Sequence, residues 1–117
     1  MAEASLDLIR GTLDLLILKT LTWGPAHGYA ITSAIQNATG GALLVEEGAL
    51  YPALYRMEAK GWIAASWGLS ENNRRAKYYE LTADGRAHFR QEVKTWNAYT
   101  SAVESLLSAP KPCNASG

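Results

Sequence analysis

Three cations, Arg74, Arg75 and Lys77, fall within four residues and run straight into two tyrosines, Tyr78 and Tyr79. A second group, Tyr51, Pro52, Tyr55 and Arg56, sets two hydroxyls and a guanidinium within six residues, just after Gly48 and Ala49. Fixed cations and hydroxyl donors are what phosphate oxygens and base edges accept. They are poor material for covalent catalysis. A hydrolase or transferase needs a nucleophile, a base and oxyanion donors brought together. This chain has two His residues and one Cys, no glycine-rich phosphate loop and no GxSxG word. His27 and His88 are far apart in sequence and Cys113 is near the end, so neither a metal site nor a cofactor is expected.

Elements must hold these groups in place. Leu6, Ile9, Leu13, Leu16 and Ile17 recur at helical spacing and predict a first helix over 6–21, capped by Asp7 or Thr12. Leu8, Leu15 and Leu18 make that helix apolar on further faces, so a second subunit is expected to cover them with its last helix. Trp23-Gly24-Pro25 breaks the chain, and a second helix follows over about 27–38 with His27 at its start. A helix N-terminus favours anions, so His27 either meets a phosphate or caps and packs. The third helix runs from about Gly48 to Lys60, with Leu50, Leu54 and Met57 on its buried stripe and Pro52 in its first turn. Gly61 follows as its terminator. Tyr51 and Tyr55 lie about 100° around from the stripe and face outward or fill the core edge. Arg56 reaches a phosphate or pairs with Glu58 or the neighbours of Lys60.

The period then changes to two. Residues 62–67 and 76–81 read as strands joined by a polar hairpin loop over 68–75. In the second strand Tyr79 is in phase with Leu81 and is expected inside, Tyr78 outside. Thr82 to Gly85 lead into a last helix over 83–107. There Phe89, Trp96 and Val103 are seven apart, with Val93, Thr100 and Leu107 as the offset series. Such a seam suits a dimer helix. On that seam Trp96 is the best candidate to stack a small planar ligand, its alternative being a plain hydrophobic anchor, while Phe89, Val93 and Tyr99 read as core first. Residues 109–117, with two prolines, read as a disordered tail.

Charge settles what kind of binder this is. The chain has 117 residues, 48% hydrophobic and 19% charged, enough for one globular domain. Net charge is zero, so general attraction to polyanions is excluded. Residues 1–55 carry two cations and five anions, whereas residues 56–94 carry eight cations and five anions. The basic share is local. No run reaches the ~18 apolar residues of a membrane span, no secretory signal is evident, and a cytoplasmic location is expected.

The order α-α-α-β-β-α is that of a winged helix-turn-helix, mainly α with a β-hairpin wing: residues 1–82 for DNA, 83–108 for dimerisation. In that layout the third helix enters a major groove and the hairpin reaches the flanking backbone or minor groove. Specific words agree. The stretch from Leu21 to Tyr29 resembles the "L..GP.HGY" opening of the PadR family of bacterial transcriptional regulators. Residues 48–58 resemble its "GTLYPAL.RLE" helix, Gly61-Trp62-Ile63 its "G.I", and residues 74–85 its "RR.KYY.LT..G". Four ordered words make the resemblance specific, and the short C-terminus is similar to that of the small members. Two positions depart from the pattern: Ala49 stands where a hydroxyl residue is common, and Ala30 where an acid is frequent. The resemblance implies a homodimeric repressor that docks on a double-stranded operator with dyad symmetry. It further implies release by a small aromatic or cationic effector. The competing expectation is a winged-helix adaptor for protein partners; the wing cations argue against it.

Overall fold

A computed structural model describes residues 11–113. Its elements are α1 (Leu13–Leu21), β1 (Ala26–His27), α2 (Gly28–Ala38), α3 (Glu47–Ala59), β2 (Ile63–Leu69), β3 (Arg75–Leu81) and α4 (Ala83–Ser108). The winged helix-turn-helix order is present, with a C-terminal helix after the wing.

α1 starts later than the spacing predicts. Gly11 adopts φ +87°, a left-handed conformation that a continuing right-handed helix cannot contain. Leu6, Asp7, Leu8 and Ile9 lie outside the described residues. Asp14 in the first turn and Lys19 in the last complement the helix dipole. Ile17, Leu18 and Leu21 are fully buried. Leu18 therefore belongs to this chain's own core, which corrects its assignment to an intersubunit face. α1 also packs on α4 of the same chain.

α2 contributes Ile31 and Ile35 to the core, and α3 contributes Leu50, Ala53, Leu54 and Met57. The loop between them begins with two left-handed glycines, Gly40 and Gly41, and closes inward on buried Val45. Pro52 is the sixth residue of α3, in its second turn rather than its first. It has no N–H to offer Gly48's carbonyl, which lies at the exposed end of the helix where water reaches it. Gly61, at φ +80°, terminates α3 as expected.

β2 and β3 pair antiparallel from Ile63↔Leu81 to Leu69↔Arg75. The turn is Ser70–Arg74, shorter than the predicted loop. The Ser70 amide donates to the Arg74 carbonyl (2.8 Å) and Asn73 takes φ 61°. Tyr79 and Leu81 are buried together. Tyr78 lies on the opposite face and donates its hydroxyl to the Leu69 carbonyl at 2.8 Å. The two-residue strand β1 pairs with β3 on its other edge, Ala26↔Tyr79 and His27↔Tyr78, giving the sheet order β1-β3-β2. Two residues are too few for an alternating pattern, so this strand has no sequence signal.

Thr82 caps α4. Its hydroxyl oxygen accepts from the Gly85 amide (2.9 Å) and the hydroxyl donates to the Gly61 carbonyl (2.6 Å). Gly85 is buried directly against the backbone carbonyl of Trp62. The first half of α4 packs on the domain; the second half does not. Tyr99, Leu106 and Leu107 are 61%, 76% and 77% exposed. Residues 109–113 form neither helix nor strand and are exposed, and 114–117 lie outside the described residues.

Candidate nucleic-acid interface

The burial stripe of α3 dictates its outward face. With Leu50, Leu54 and Met57 inside, the 3.6-residue period turns Gly48, Ala49, Tyr51, Pro52 and Tyr55 outward, and all five are exposed. Tyr51 is 45% exposed and Tyr55 77%. They are one turn apart and lie at the N-terminal end and middle of the helix. Glu46 occupies the N-cap position without a side-chain cap, and Glu47 opens the first turn. Both carboxylates favour the dipole there.

The hairpin brings the cations beside this face. Arg74 sits in the exposed turn, and its side chain has no ionic partner among the described residues. The Arg75 guanidinium lies 4.5 Å from the centre of the Trp67 ring. Trp67 pairs in register with Lys77, so Arg75 is its diagonal neighbour on the same face of the sheet. Such cation–π contacts fix a guanidinium while leaving its charge intact. Lys77 leans inward, with its Nζ 3.6 Å from Glu58 Oε1 and 5.7 Å from the Tyr79 ring centre. Its charge is thus shared with a carboxylate, whereas those of Arg74 and Arg75 face solvent.

Between wing and helices runs a groove of about 760 Å³, bordered by His27, Gly28, Tyr29, Tyr51, Trp67, Arg74, Arg75 and Lys77. His27 is an N-cap: its Nδ1 accepts from the Ala30 amide (3.2 Å). Its Nε2 lies 3.6 Å from Glu71 of the wing turn, and its ring meets Tyr78 edge-on at 5.2 Å. Glu71's carboxyl is held below its ordinary range, first by its own backbone amide and then by His27. Tyr79, beneath the groove, has its phenol pushed up by burial, with the negative charge of Glu58 and the proximity of Tyr51 adding to it.

Arg56 does not join this face. Its guanidinium grips Asp14 of α1 with two hydrogen bonds, 2.7 and 2.8 Å, and that carboxylate raises its pKa further. The expectation of a phosphate contact, or of a partner in Glu58 or beside Lys60, is corrected: α1 passes the same turn of α3 and supplies a closer acid.

The ligand candidates divide as well. Phe89 is half-buried and packs against this chain's core. Val93 is half-buried, and Val103 is 37% exposed. Leu15 of α1 joins Glu92, Trp96 and Tyr99 of α4 around a second groove of about 350 Å³. Sequence reading missed Trp67, Tyr29 and Glu71. Trp67 was recoverable from strand alternation once the hairpin register was set; Tyr29 and Glu71 become neighbours of the site only through tertiary packing.

Three helices, a β-hairpin packed on them and a basic turn beside an exposed helix face define a winged-helix protein of the DNA-binding type. The PadR-like family of transcriptional regulators matches residues 17–91. The chain belongs to that family, and regulation of transcription with DNA binding is its class of function. The chain is 36% identical over 101 residues to an uncharacterized protein of Lysinibacillus sphaericus, covering 86% of this chain and 93% of that one. A transcriptional regulator from Clostridium thermocellum superposes with TM-score 0.75 at 30% identity, covering 82% and 93% of the two chains. A PadR family transcriptional regulator from Eggerthella lenta superposes with TM-score 0.75 at 31% identity, covering 86% of each. No helix among the described residues is long and apolar enough to cross a membrane.

Proposed function

We propose that the chain acts as a homodimeric repressor that reads a dyad-symmetric DNA operator and releases it when a small aromatic or cationic effector binds. One observation carries the DNA reading: exposed Tyr51 of α3 and the wing arginines border the same groove. A helix face set into a major groove then places Arg74 and Arg75 on the flanking phosphates. Tyr51 and Tyr55, with the exposed backbone at Gly48, Ala49 and Pro52, meet base edges or the near strand. His27 contributes through the α2 N-terminus it caps. In a dimer the two heads reach half-sites about one helical turn apart, roughly 34–36 Å.

Replacing both Arg74 and Arg75 by alanine tests this. Binding to every duplex is expected to weaken, and the slope of log affinity against log salt to fall by about one to two. An unchanged slope would favour the adaptor reading. For the effector, the support is the groove between α1 and α4, where Trp96 and Tyr99 supply aromatic walls and Glu92 a carboxylate. These suit a planar, cationic compound. Titration of such compounds is expected to quench the emission of the wild type and not of Trp96→Phe; equal quenching places the ligand elsewhere.

A further inference from the structure

Gly28 is the first residue of α2 and is buried, yet its backbone does not call for glycine. Among the described residues the glycines at positive φ are Gly11, Gly24, Gly40, Gly41 and Gly61, and Gly28 is not one of them. A helix start with ordinary dihedrals accepts alanine more readily than glycine. What Gly28 lacks is room. A Cβ there would lie 2.8 Å from Cζ and 3.1 Å from Cε1 of Tyr51, and nearer still to the Tyr51 hydroxyl. The phenol ring of α3 therefore lies across the first turn of α2, in space that any side chain at position 28 would fill. By contrast a Cβ on Gly48, on the same exposed helix end, would meet nothing within 4 Å.

This contact fixes where Tyr51 points. Its ring and hydroxyl are seated against the bare backbone of Gly28, and Tyr51 lines the groove that Arg74 and Arg75 also border. Tyr55, one turn on and 77% exposed, has no such seat. We infer that Gly28 is a positioning residue for DNA reading: its missing side chain holds the Tyr51 hydroxyl at one place in the groove, so Tyr51 supplies fixed, base-discriminating contact and Tyr55 adaptable contact. The inference rests on the DNA reading proposed above.

The test is a double-mutant cycle of Gly28→Ala and Tyr51→Ala. An operator is first selected from random duplexes, and anisotropy then measures binding to it and to a scrambled duplex across a salt series. Gly28→Ala is expected to weaken operator binding about tenfold and scrambled binding less than about twofold, because discrimination rather than charge is lost. The salt slope is expected to stay the same, since no cation has moved. In the Tyr51→Ala background the same glycine change is expected to cost no operator affinity, as coupled residues require. Thermal melts of all four proteins accompany the cycle. If Gly28→Ala melts early, Tyr51→Ala is expected to restore its midpoint, which only relief of this particular clash explains. An undiminished operator affinity in Gly28→Ala, or equal losses in both backgrounds, overturns the inference alone. A wild type that does not distinguish the two duplexes overturns the DNA reading, and this inference with it.

Discussion

At the scale of single residues, the pairings that matter join distant parts of the chain. Asp14 and Arg56 are 42 positions apart, and no local pattern announces their contact. The charges themselves were legible, and so was the division between an acidic first half and a basic second one. Which cations stay available was not. Arg56 and Lys77 are drawn to Asp14 and Glu58, so among the candidate DNA contacts the outward charge contracts to Arg74 and Arg75. Tyr79 was placed inside by its phase with Leu81, and burial gives it a pH signature. Its folded phenol ionises above the ordinary value of 10.0. The unfolded chain ionises near that ordinary value, at about 10. The stabilisation from Tyr79 is therefore complete below pH ~10 and is lost as pH rises through the higher folded value. Urea unfolding between pH 8 and 11 is expected to show a steeper alkaline loss for wild type than for Tyr79→Phe. Parallel curves would assign the loss to other tyrosines.

At the scale of elements, periodicity carried most of the fold. The stripes of α2 and α3 were readable because Ile31, Ile35, Leu50, Leu54 and Met57 recur at helical spacing and all are buried. The hairpin was readable from alternation and from the polar residues between its strands. The limits of α1 and the existence of β1 were not, since a glycine's φ and a two-residue pairing are decided by tertiary neighbours. The junction between wing and α4 is the tightest joint. Thr82 ties the Gly61 carbonyl to the start of the helix, while Gly85 abuts the Trp62 carbonyl, with 2.8 Å from its would-be Cβ to the carbonyl carbon. Both colliding groups are backbone and cannot rotate away. Gly85→Ala is expected to lose about 2–3 kcal/mol in chemical denaturation, near the upper end for overpacking. Gly48→Ala, with open space and an ordinary helical conformation, is expected to gain about 0.5–1 kcal/mol. Similar values for the two would refute the steric account.

At the scale of the whole molecule, the shape is extended. The radius of gyration is 18.0 Å, against roughly 13 Å for a compact chain of ~100 residues. α4 explains the excess: its 26 residues span about 39 Å, and its second half leaves the domain with Tyr99, Val103, Leu106 and Leu107 uncovered. An apolar stripe of that length is poorly soluble alone, which supports the proposed pairing of two copies along it. The heptad spacing marks this helix, and Phe89, read as core first, packs half-buried against the core. Leu106→Glu combined with Leu107→Glu is expected to convert a dimer to monomers in sedimentation velocity. Operator affinity should then fall at least 100-fold, since two tethered heads reinforce each other by about 10²–10⁴. A double variant that sediments as the wild type would place the interface elsewhere.

The short strand β1 has a mechanical consequence. By hydrogen-bonding to β3, it ties the start of α2 to the wing, while Thr82, directly after β3, caps the start of α4. Backbone pairing thus joins the wing directly to the start of α2. In the dimer proposed above, the adjustable quantity would be the angle at which the two long helices cross. A small change in that angle, multiplied along the arm of α4, would open or close the span between the two heads, as in a pair of callipers.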